Sequence, residues 1–105
     1  MNLLSLNVRG IRDANKRMSL MQWLSHHRLD IVCLQETHAV SAYESSAWFS
    51  PFGFLTVSAV GSARARGLVI LYRPRLILNR SWVELCGRFS MAEFMNGNFL
   101  FRVVC

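Results

Sequence analysis

The side chains best placed for chemistry are Glu36, which closes the run LDIVCLQE, and Asn7, which closes the run LLSLN. Ile31, Val32, Cys33 and Leu34 form a continuous apolar stretch of the kind found in strands buried on both faces, and Glu36 falls where that strand should stop. In open α/β sheets, ligands collect just beyond the carboxyl ends of parallel strands. A carboxylate there, able to hold a cation or take a proton, is a candidate for function. On this segment alone, a Glu that merely returns the chain to water is an equally good reading.

Whether Asn7 and Glu36 meet depends on what connects them. Leu3 to Asn7 reads as a first buried strand, and Asn7-Val8-Arg9-Gly10 as the turn that leaves it. A helix is expected from about Lys16 to His26, with Asp13 or Asn15 as N-cap. Leu20, Trp23, Leu24 and His27 recur at helical spacing, which assigns Trp23 to the core. His26 and His27 fall in its last turn, where the helix dipole favours a cation, and this outweighs a metal-binding reading. Strand, helix and strand make a βαβ unit, whose crossover rule sets the two strands parallel. Asn7 and Glu36 then leave the sheet at one edge, close enough to share a ligand.

The second half is β-rich. A polar loop is expected through Tyr43 to Ser50, then strands at Phe54 to Val60, Leu68 to Tyr72 and Trp82 to Leu85. Phe89 to Met95 and Phe99 to Val104 flank Asn96-Gly97, a dipeptide suited to a type I′ hairpin turn. These later strands should be mostly antiparallel. The sequence stops at Cys105 inside the apolar strand FLFRVVC, which reads as a truncated domain occupying residues 1–105.

Hydrophobic residues make up 52% of the 105 and charged residues 17%, more apolar surface than a globule of this size hides easily. That implies packing against something else or membership of a larger domain. The net charge of +6 rests on twelve basic residues, eleven of them Arg, whose planar fork suits phosphate oxygens and points to nucleic acid. An Arg-rich codon bias would give the same count. Cys33, Cys86 and Cys105 are odd in number and lack zinc-site spacing, so a reducing compartment, nuclear or cytoplasmic, is expected. The N-terminus is no signal peptide and no apolar run approaches a bilayer span, so no membrane partner is expected. Composition sets no oligomeric state.

Arg9, Arg12, Lys16 and Arg17 lie around the first turn and helix start, and Arg64 and Arg66 in the loop GSARARG. Both groups are candidate DNA-phosphate contacts, with ordinary solvated surface as the competing reading. His38, two residues past Glu36, reads as a loop histidine, because Mg²⁺ disfavours imidazole and no second His or Cys completes a transition-metal site. Trp48, Phe49, Phe52 and Phe54, around Pro51 and Gly53, read as a turn packed on the sheet rather than a base-stacking platform.

Taken in order, LLSLNVRGI, the NKR helix ending in Trp-Leu, LDIVCLQETH, GLVILYRP, GRF and the NG hairpin leading to FRVVC resemble the endonuclease/exonuclease/phosphatase superfamily. The likeness is greatest to the apurinic-like endonuclease domain of non-LTR retrotransposons. The resemblance implies an α/β fold, here the N-terminal part of a four-layer α/β sandwich in which a βαβ unit is followed by mostly antiparallel strands. It implies hydrolysis of phosphodiesters with Mg²⁺, or Mn²⁺ in its place, with DNA as partner and target-site nicking as the reaction. By residue match, Glu36 takes the metal-binding Glu of the QE-T motif and Asn7 the active-site Asn, catalytic and metal-associated alike. Gln35 is left a structural role. The family's later motifs, a catalytic Tyr, an Asp-x-Asn pair and a terminal Ser-Asp-His, are not recognisable, so the chain alone is expected to be inactive. A phosphatase or phospholipid phosphodiesterase of the same superfamily, and a non-catalytic nucleic-acid-binding fragment, are the alternatives.

Overall fold

A computed structural model describes residues 1–84 and 87–105. The elements run β1 (Leu3–Asn7), α1 (Ala14–Ser25), β2 (Ile31–Gln35), α2 (Ala42–Phe49), a 3₁₀ turn (Ser50–Phe52), β3 (Leu55–Ala59), β4 (Leu68–Tyr72), β5 (Ile77–Val83), β6 (Ser90–Asn96) and β7 (Phe99–Val104). They form a four-stranded sheet in the order β1-β2-β4-β3 and a three-stranded sheet in the order β5-β6-β7. β1 and β2 are parallel, with Asn7 opposite Gln35, as the crossover rule requires. Every other strand pair is antiparallel.

Period-two alternation in the central strands divides the core in two. Val32 and Leu34 of β2 and Val69 and Leu71 of β4 face the helices, where they meet Met21 and Leu24 of α1 and Phe49 of α2. Ile31, Cys33, Ile70 and Tyr72 point the other way, onto Ala92 and Phe94 of the second sheet. Helices, mixed sheet and antiparallel sheet thus stack as layers, the α/β class expected from the sequence. β2 and β4 are the strands covered on both faces, and β4 is buried along its whole length.

Several expectations are corrected. The polar stretch Tyr43 to Ser50 is α2, not a loop: the Ser41 hydroxyl accepts from the Glu44 N–H at 3.0 Å and caps it. Its end, with Phe52 and Phe54, does pack on the sheet. Trp23 is 48% exposed and lies beside His27, ring centroids 4.5 Å apart, so it is not core. α1 begins two residues before Lys16, capped by Asp13, and ends before His26, which is its C-cap. The strand expected over Trp82 to Leu85 is the end of β5, which starts at Ile77; Leu85 lies outside the described residues. The hairpin turn is centred on Gly97-Asn98, since Asn96 pairs with Phe99. With positive φ at Gly97 (61°) and at neither Asn96 nor Asn98, it has the II′ pattern rather than I′. Among the described residues, no helix is long and apolar enough to cross a membrane.

Candidate active site

The carboxyl ends of β1 and β2 do not simply dissolve into loops. Beyond them, Val8, Gly10 and Ile11 donate backbone N–H groups to the carbonyls of Gln35 (3.0 Å), Glu36 (2.6 Å) and Thr37 (3.1 Å). On the other side, Thr37 and His38 donate to the carbonyls of Gly67 (3.0 Å) and Arg66 (2.8 Å). The neighbour order of β1, β2 and β4 is therefore carried past the strands in an irregular form. Thr37 is buried at the centre of it.

This zipping holds backbone conformations that side chains avoid. Arg9 (φ 51°), Glu36 (φ 56°), His38 (φ 65°) and Arg66 (φ 64°) are all left-handed, and all belong to these three segments. Two glycines make the close approach possible. A Cβ on Gly67 would stand 2.6 Å from the Thr37 hydroxyl, and one on Gly10 would stand 2.5 Å from His38 Nδ1. His38 thus packs over Gly10, as suits a loop histidine. Among the described residues, no cluster of three or more His, Cys, Asp and Glu forms.

An open cleft of about 400 Å³ sits on this edge, lined by Asn7, Gln35, Glu36, Ala65, Arg66, Leu68, Gly87 and Arg88. Asn7 and Glu36 are brought together, both exposed. The Asn7 Oδ1 accepts from the Arg9 N–H at 3.0 Å, an Asx turn that fixes which way the amide faces. Glu36 takes no part in the ion pairs found among the described residues, which join Arg12 to Glu44, Arg75 to Asp30 and Arg102 to Glu93. Gln35 donates to the Ser5 hydroxyl at 2.7 Å, the structural hydrogen bond expected of it.

The basic residues divide by what they already do. Arg12 grips the Glu44 carboxylate with both nitrogens and donates to the His38 carbonyl at 3.2 Å. That pairing holds the Glu44 carboxyl below the usual range and raises the Arg12 guanidinium. Arg17 donates to the carbonyls of Ile11 (2.9 Å) and Arg12 (2.7 Å) and lies 4.5 Å from the centre of the Trp48 ring. These two tie α1 and α2 to the turn that follows β1. Lys16 reaches the Arg9 carbonyl at 3.2 Å, while Arg9 and Arg64 are exposed. Arg66 alone of the six expected phosphate contacts lines the cleft. Arg88 lines it too and is passed over by sequence reasoning; its signal was the GRF motif, a glycine-set basic residue just before a strand.

The donor set fits a hard cation. One carboxylate and neighbouring amide oxygens at an open site suit Mg²⁺, which keeps several waters and completes its shell with substrate phosphate. They do not suit zinc, which wants a closed set of nitrogen and sulfur ligands. No curated protein matches the chain. The profile of the Endonuclease/Exonuclease/phosphatase family matches residues 4–99, a span that takes in both helices and every residue lining the cleft. On that match over nearly its whole length, the chain belongs to the endonuclease/exonuclease/phosphatase family of nuclease- and phosphatase-type hydrolases.

Proposed function

We propose that the cleft is the metal-binding part of a DNA endonuclease site, of the kind with which non-LTR retrotransposons nick their target DNA. What supports this is the sharing of one open cleft by Asn7, Glu36, Arg66 and Arg88. A divalent Mg²⁺ or Mn²⁺, when bound, polarises a scissile phosphodiester and steadies the leaving oxygen. The chain's own groups do the rest. Glu36 offers the hard anionic donor. The Asn7 amide, fixed by the Arg9 N–H, orients a phosphate oxygen or a water without adding negative charge. Arg66 and Arg88 offer planar forks to phosphate oxygens of a strand lying across the edge. The Arg-rich surface favours a polyanion such as DNA over a small phosphomonoester.

Glu36 is the only acidic or imidazole group lining the cleft among the described residues. A carboxylate that holds the cation is not free to take the proton of the attacking water. The 105-residue chain by itself therefore binds metal and DNA but does not turn over. The test pairs Mn²⁺ binding, followed by water-proton relaxation, with plasmid nicking in Mg²⁺ and in EDTA. Binding competed by Mg²⁺ and weakened roughly tenfold or more in Glu36→Gln is expected, with nicking no faster than buffer. Unchanged Mn²⁺ affinity in Glu36→Gln would remove Glu36 from the site. Metal-dependent nicking by the purified chain would overturn its silence.

A further inference from the structure

Behind the cleft floor, two cysteines from different sheets come together. Cys33 is on β2 and packs toward the second sheet, in the same buried cluster against which Cys105, just past β7, is seated. Both are free thiols. Cys105 is fixed there by paired backbone hydrogen bonds with Ser90 (2.8 and 3.1 Å) and by the Gln35 amide, 3.7 Å from its sulfur. Gln35 lines the cleft beside Glu36, so the pair stands directly beneath the candidate active site.

We propose that Cys33 and Cys105 form a reversible disulfide that joins the two sheets under the cleft. A bridge between facing sheets is an established device of β-sandwiches. The two thiols are also unequal, Cys33 being the readier to ionise and so to attack first. The hydrogen bond from the Cys105 thiol holds the Cys33 thiol below its usual range, and the Cys105 thiol is correspondingly raised. A second cleft, of about 300 Å³ and lined by Leu3, Ser5, Cys33 and Val103 among others, opens a way for a small reagent to reach Cys33.

The oxidant is a small disulfide such as oxidised glutathione. The Cys33 thiolate attacks one of its sulfurs, the small S–S bond breaks, and one small thiolate leaves with the electron pair. Cys105 then gives its proton to water and attacks the Cys33 sulfur, expelling the second small thiolate. Two protein thiols are oxidised by two electrons and one small disulfide is reduced to two thiols. The inference stands independently of metal binding.

The experiment incubates the folded 105-residue chain with oxidised glutathione, caps remaining thiols by alkylation and maps the linked peptides by mass spectrometry. A Cys33–Cys105 peptide is expected as the main product, undone by dithiothreitol and accompanied by a rise in Tm of at least a few degrees. Cys86→Ser should keep both effects and Cys105→Ser should lose both. Because Cys33 is buried, Cys105→Ser carries the comparison if Cys33→Ser fails to fold. Repeating the oxidation in denaturant should erase the preference among the three cysteines. Bonds that involve Cys86, chain-to-chain bonds as the main product, or full alkylation of both cysteines after oxidation would each overturn the proposal.

Discussion

Glu36→Gly should give a more stable protein than Glu36→Ala, although both remove the carboxylate proposed to hold the metal. Residue 36 is left-handed, with φ at 56°, and its carbonyl is held by the Gly10 N–H at 2.6 Å, so the backbone is not free to relax. Any Cβ in that conformation costs about 1–2 kcal/mol. Alanine keeps that cost and glycine escapes it, while losing roughly 0.5–1 kcal/mol through the greater freedom of the unfolded chain. Because the Glu36 side chain is exposed, neither change removes buried contacts. The balance favours glycine by about 0.5–1 kcal/mol, a few degrees in Tm for a domain of this size. Urea unfolding followed by tryptophan fluorescence measures it, provided the m-values of the two variants agree. If Glu36→Ala proves equal to or more stable than Glu36→Gly at matched m-values, residue 36 is not held left-handed and the strained-edge reasoning fails.

Gly67→Ala should cost about 2 kcal/mol or more, since φ is +88° and the new Cβ would crowd the buried Thr37 hydroxyl at 2.6 Å; Mn²⁺ affinity should fall with it, and wild-type stability in a thermal melt would contradict the buttressing role. Glu93 is 4% exposed and is held below the usual carboxyl range by hydrogen bonds from Arg102 (2.8 Å) and Asn79 (2.5 Å). A folded-state pKa below the unfolded value of about 4.3 means full stabilisation above that pH and progressive loss as acid is added through the folded value. Urea midpoints should therefore fall below about pH 4, and Arg102→Leu should flatten that fall; an unaltered profile would assign the acid sensitivity elsewhere. Trp23→Ala should cost about 1 kcal/mol, well under the 3–5 kcal/mol of a buried Trp, because half of the ring faces water; a core-sized loss in chemical denaturation would restore it to the interior.

The readable parts of the sequence were those governed by a single rule. β2 and β4 show as apolar runs with abrupt ends because strands buried on both faces need no alternation, whereas β1, expected to be buried, is an edge strand with Leu3, Ser5 and Asn7 exposed. α2 was missed because Ala42–Phe49 buries little beyond Ser45 and Phe49 and so lacks an apolar stripe; the usable signal was Ser41-x-x-Glu44, a capping pattern. In α1 the buried stripe runs through Met21 and Leu24, with Leu20 and Arg17 half-buried alongside. At about 100° per residue, Trp23 lies roughly a third of a turn from its centre. Treating Leu20, Trp23, Leu24 and His27 as one face shifted that stripe to one side. At the site, Asn7 and Glu36 came together through the crossover rule alone. Arg88 did not: the GRF motif marks a basic residue before a strand, but its approach to the cleft depends on how the second sheet packs on the first.

The distribution of backbone strain argues for the function of this edge. The four left-handed non-glycine residues among the described residues sit in three segments that hydrogen-bond to one another, while the exposed hairpin at the opposite end of β6 puts a glycine where it needs positive φ. Where only a turn was needed, the sequence uses glycine; along this edge it keeps Glu, His and two Arg in conformations that glycine would adopt at less cost. Such strain persists only when its surroundings over-determine it, and here the bonds from Gly10 and Thr37 and the close approach of Gly67 do so. What the chain gains at Glu36 and Arg66 is the direction of two charged side chains into one cleft. A glycine at either position would be easier to fold and would take from the cleft a charge that the proposed metal or phosphate contact uses.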